Sequence, residues 1–129
     1  MLELRGSWWG RARAGDCELA AWRLLAAAEP ERAATHRDAA VTHYRAALAS
    51  LGPLVAKDPA DPWQGVPWGF AHLGLAEIEA ERGDTSAALA LLDVGLPALA
   101  RVEANAHRDV WDEERAAAGR ALRARLAQR

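Results

Sequence analysis

With 129 residues, 16 basic and 18 acidic side chains and a net charge of -2, the chain is long enough to bury one self-sufficient core. It lacks the basic excess that phosphate-backbone binding requires: up to Lys57 it carries 8 basic and 6 acidic residues, and beyond it 8 and 12. The lone Cys17 excludes an internal disulfide and any paired-cysteine metal spacing.

Alanine fills about a quarter of the chain and Lys57 is its only lysine, so composition favours helix and suggests a bacterial, GC-rich source. The opening Met1-Leu2-Glu3-Leu4-Arg5 interrupts any apolar run with charge, unlike a signal peptide. No apolar stretch approaches a bilayer span, and the expectation is a cytoplasmic protein with no membrane and no nucleic-acid partner.

A first helix is predicted over about Asp16 to Glu29, with Asp16 as its cap, Leu19, Trp22, Leu25 and Ala26 on its apolar side, and Pro30 closing it. The preceding 15 residues carry no clear element. A second runs from Thr35, where Thr35-His36-Arg37-Asp38 approximates a capping box, to about Lys57. Its stripe is Val41, Tyr44, Leu48, Leu51 and Val55, and Pro53 predicts a kink or break near Ala49.

The proline-rich segment from Asp58 to Pro67 reads as a loop. A third helix, about Trp68 to Arg82, spreads apolar residues over three faces: Val66, Phe70 and Leu73; Ala71, Leu75 and Ile78; Gly69, Ala76 and Ala80. That pattern marks a helix packed between neighbours. A Gly83-Asp84 turn leads into a fourth helix, about Thr85 to Val102, with Ala88, Leu92, Leu96, Leu99 and Val102 on its stripe. The last, about Asp109 to Ala127, has acids crowding its start and arginines its end, signs that complement the helix dipole. Its thin stripe of Trp111, Ala118, Leu122 and Leu126 suits a capping helix with one wet face.

Internal similarity supports a repeat. Aligning Pro53 with Pro97 places Leu48 on Leu92, Val55 on Leu99 and Ala56 on Ala100. Phe70, Leu73 and Gly74, the Gly83-Asp84 turn, and Ala88 with Leu92 together resemble a tetratricopeptide (TPR) repeat. The match is best over 68–96, with a possible earlier unit over 16–59 and a cap over 109–127. Its turn lies two residues beyond the family spacing and its second helix contains Pro97. The resemblance implies an all-α fold: antiparallel helical hairpins stacked as a short right-handed superhelix, with Gly74 and Ala88 where helices nearly touch. It also implies a protein- or peptide-binding adaptor rather than an enzyme.

Candidates for chemistry are few. His-Arg-Asp occurs at 36–38 and 107–109, as in a kinase catalytic loop, but His43 and Glu114 stand where that loop needs Asn. Both triplets read better as helix starts. His36 and His43 lie two helical turns apart, and His72 and His107 are isolated, so neither metal nor cofactor is expected. Cys17 reads as a small packing residue. Six tryptophans against one Phe and one Tyr read as space-filling plugs among alanines or as a recognition rim. The candidate peptide-binding set is Trp63, Trp68, Phe70, Leu73, Glu77 and Glu81, its partner unidentified. Alternatives are a self-associating homodimer, and a small helical enzyme or sensor using His72 with Glu77 and Glu81.

Overall fold

The computed structural model describes the backbone of residues 2–128 and the side chains of residues 8–128. It is all-helical, and no strand occurs among the described residues. Five α-helices follow in order: α1 (Leu2–Leu25), α2 (Pro30–Lys57), α3 (Pro62–Glu81), α4 (Thr85–Val102) and α5 (Glu113–Ala127), with a single 3-10 turn at Glu103–Asn105 after α4.

Packing is most extensive between α1 and α2 and between α3 and α4. Both pairs are antiparallel, since Glu18 meets His36 while Arg11 meets His43, and Gly65 lies against Val102 while Gly69 lies against Leu99. The α2–α3 contact joins the hairpins, and α5 closes on α4 and α3. Helices α1 and α5 flank α3 and run in its direction, since Trp68 packs at the Ala12 cluster while Arg23 meets Glu77, and Phe70 meets Arg115 while Leu73 meets Gly119.

α3 sits at the centre. Val66, Phe70, Leu73 and Ala76 join α4 and α5 in one core cluster, while Ala71, Leu75 and Ile78 join α1 and α2 in another. Two of the three expected faces form separate clusters, while of the third Ala76 joins the first cluster and Ala80 is only partly buried beside it. The α3 and α4 backbones approach closely at Gly69 and Gly95: a Cβ on Gly95 would stand 3.0 Å from the Gly69 carbonyl oxygen. Backbone approach this close needs glycine on both sides, and Gly74 and Ala88 mark other contacts. Gly74 faces the Tyr44 ring, whereas Ala88 is buried in the α3–α4–α5 core.

The fourth helix has the expected bounds, and its turn is as read. Gly83 takes φ +86, Gly83 N–H donates to the Ala80 carbonyl and Asp84 N–H to Glu79, and the Asp84 carboxylate accepts from Ala87 N–H at 2.9 Å. One residue thus ends α3 and the next starts α4.

Several expectations are corrected. α1 begins far before Asp16: Ala12, Gly15, Leu19 and Trp22 are buried and Trp8 half-buried, a 4-3-4-3 spacing that carries the stripe back to Trp8. Asp16 is therefore mid-helix. α2 begins at Pro30, a favoured first helical residue, and Thr35 lies inside it with its hydroxyl on the Glu31 carbonyl. The 36–38 triplet is likewise mid-helix, and the 107–109 triplet lies in a turn; Asp112, not Asp109, caps α5 through Arg115 N–H at 3.0 Å.

Most of the expected 58–67 loop is helix, because Asp61 caps the Trp63 N–H and Pro62 occupies the first position. α2 and α4 also run unbroken through Pro53 and Pro97. Both prolines, and Ala49 and Asp93 one turn before them, are exposed, so the carbonyls that lose a donor lie on the water side. Cys17 is exposed rather than packed.

Thr85–Asn105 has a mean hydropathy of 1.4 and is long and apolar enough to cross a membrane, contrary to the expectation that no stretch approaches that length. Part of its apolar character is packing, since Ala88, Leu92, Ala98, Leu99 and Val102 are core residues, and 33% of the window is buried.

Candidate functional site

Two clefts open on the side where α1, α3 and α5 lie together, and Arg115 lines both. The larger, about 840 Å³, is walled by Trp9 and Arg13 of α1, by Trp63, Pro67 and Phe70 of α3, and by the 109–115 segment. Tyr44 and Asp16 form its floor. The smaller, about 410 Å³, lies between Arg23, Leu73, Glu77 and Glu81 on one side and α5 on the other.

The floor is a polar knot that ties four helices. Tyr44 is fully buried from α2, and its hydroxyl donates to Asp16 Oδ1 at 2.5 Å. Arg115 Nη2 lies 2.9 Å from the same Asp16 oxygen and donates to Tyr44 Oη at 3.1 Å and to the Phe70 carbonyl at 3.0 Å. Its guanidinium also stacks 4.9 Å from the Phe70 ring centroid. Burial works against the Arg115 charge, but Tyr44 and Asp16 more than compensate and hold its pKa above the ordinary value. Burial pushes the Tyr44 hydroxyl strongly up, against the nearby guanidinium. Charge-assisted bonds of this kind contribute about 1.5–3 kcal/mol each, so the knot positions the cleft rather than leaving reactive groups free.

The rim is aromatic and acidic. Trp9 is 48% and Trp63 59% exposed. Arg13 stacks over Trp9 at 4.8 Å, and Trp111 packs against Phe70 at 5.7 Å. Trp111 Nε1 donates to Glu113 at 3.0 Å and Arg120 pairs with it at 2.7 Å; these two hydrogen bonds hold the Glu113 carboxyl below its usual pKa.

The six sequence candidates fall into three places. Trp63 and Phe70 line the larger cleft; Leu73, Glu77 and Glu81 line the smaller. Trp68 packs beside the Ala12–Ala47–Leu51 cluster and edge-on to His72 at 4.5 Å, away from both clefts. Phe70 and Leu73 are core side chains with only edges at the surface. Glu77 is paired with Arg23, whose Nε stands 2.7 Å from Oε2; Glu81 is exposed.

His72 is not brought to those carboxylates. It is buried, its Nδ1 lies 2.8 Å from the Trp68 carbonyl, and burial lowers its pKa. Among the described residues no group of three His, Cys, Asp or Glu stands close enough to hold a metal ion.

Sequence reasoning missed Trp9, Asp16, Tyr44, Arg115 and the 109–114 rim as one site. The available signal was Tyr44, a hydroxyl on an otherwise apolar stripe, which requires a buried partner. No family model matches the chain, and no curated protein or solved structure matches it.

Proposed function

We propose that this protein is a non-catalytic, TPR-like binding module that docks an extended segment of a protein partner in a bacterial cytoplasm. The hairpins α1/α2 and α3/α4 stack as a short right-handed superhelix with α5 as cap, and their first helices line the concave face. The observation that carries the reading is that both clefts open between α1, α3 and α5 and meet at Arg115, with two exposed indoles at the larger one. Exposed tryptophan on a preformed cleft is among the side chains most enriched at binding hot spots. Of the aligned positions of α2 and α4, Val55 and Leu99 are both buried and Ala56 and Ala100 both exposed, while Leu48 is half-buried where Leu92 is buried.

The test is a selection of peptides from a random displayed library, followed by affinity measurement on the enriched sequences. Trp63→Ala should weaken them by about 1–3 kcal/mol and leave the melting temperature unchanged, since Trp63 is 59% exposed. Failure to enrich any peptide, or binding indifferent to Trp63, sinks the reading. Self-association is the competing reading, favoured by the exposure of Leu24 and Val94, which line neither cleft; sedimentation velocity across a concentration series separates the two.

A further inference from the structure

We infer that the larger cleft takes an arginine side chain of a basic peptide segment, its guanidinium stacked on Trp63 with Glu114 as counter-charge. This rests on the binding reading above and adds the chemistry of the partner.

The argument comes from how the groups of the cleft are already used. Trp9 carries Arg13, and Phe70 carries Arg115 and Trp111. Trp63 is the ring of this wall that has no aromatic or cationic partner among the described residues, although it is the most exposed of them. The carboxylates divide in the same way. Asp16 serves Tyr44 and Arg115, Asp112 caps α5, and Glu113 holds Trp111 and Arg120, whereas Asp109 lies in an exposed turn where its own N–H donates to His107 Nδ1. Glu114 lines the cleft with no side-chain partner among the described residues.

An unused π face and an unused carboxylate on one cleft are the two groups a guanidinium engages together, by stacking and by hydrogen-bonded pairing. The cleft already stacks a guanidinium on a ring twice within its own chain, at 4.8 and 4.9 Å, and in the second case the same guanidinium, Arg115, also pairs with a carboxylate, Asp16. Five carboxylates line it against two guanidiniums, so the local field favours a cation although the whole chain is nearly neutral. Lysine would meet the charge but not the planar stack.

The experiment titrates the protein, followed by tryptophan emission and calorimetry, with a pool of blocked pentapeptides Ala-Xaa-Arg-Xaa-Ala, and with pools carrying citrulline, lysine or glutamate at the centre. The arginine pool should bind about tenfold or more tightly than the citrulline pool and weaken as sodium chloride is raised. Trp63→Ala and Glu114→Gln should each remove most of that preference, with circular dichroism confirming the fold. Equal binding of the arginine and citrulline pools overturns the arginine assignment while leaving a peptide-binding cleft in place. Binding of the arginine pool that ignores both variants overturns the location. No binding of the arginine pool at millimolar concentration, or self-association that occludes the cleft, overturns the inference.

Discussion

Replacing Gly74 by alanine sets two effects of opposite sign against each other. Within a helix, alanine is favoured over glycine by about 1 kcal/mol. At Gly74, however, an added Cβ would stand 2.7 Å from Tyr44 Cε2 and 2.9 Å from Cζ. The ring cannot step aside, because a Cβ on Gly15 would meet its other edge at 2.7 Å. Its hydroxyl is also held by Asp16 and Arg115. Overpacking such a closed site costs about 1–3 kcal/mol. Gly10, also inside α1, has nothing within 4 Å of its added Cβ, so Gly10→Ala isolates the favourable term. Gly74→Ala should therefore be less stable than Gly10→Ala by about 1–3 kcal/mol, or roughly 3–5 °C in melting temperature per kcal/mol for a chain of this size. Urea unfolding followed at 222 nm measures both. Equal stability of the two variants would mean that Tyr44 does not fill the space between α1 and α3, and the packing described for the knot would be wrong.

Three further outcomes follow from the same geometry. Tyr44 is the only tyrosine and its hydroxyl is pushed far up by burial, so tyrosinate absorbance at 295 nm should not appear until the protein unfolds in alkali; an ordinary titration near pH 10 in the folded state would refute the burial. His72 has its folded pKa lowered by burial, so the unfolded chain binds the proton more readily. Its contribution is intact above an unfolded pKa of about 6.5 and is lost as pH falls toward the folded value. Urea midpoints at pH 7.5 and 5.5 should differ less in His72→Gln than in the parent, and an equal or larger difference would refute this. Asp112→Ala removes the cap of α5 and should cost about 1 kcal/mol, read by the same unfolding assay; unchanged stability would show that the cap bond is unimportant.

The helical class, the bounds of α4, the Gly83-Asp84 turn and the packing of α3 between neighbours are legible in the sequence alone. Each depends on residues within one or two helical turns of one another, where periodicity and capping chemistry act directly. Other features were decided only by tertiary packing. The prolines at 53 and 97 do not break their helices because their orphaned carbonyls fall on the solvent side, and local sequence does not say which side that is. Asp16 looks like a cap until Tyr44 and Arg115, 28 and 71 residues apart from their partners in the knot, give a mid-helix carboxylate its purpose. The cleft is the clearest case. Its groups come from four helices and the 109–112 turn, and which ring and which carboxylate remain unpaired follows from every other pairing around them. Such a property belongs to the assembled surface, because no short segment contains both members of any of its long-range pairs.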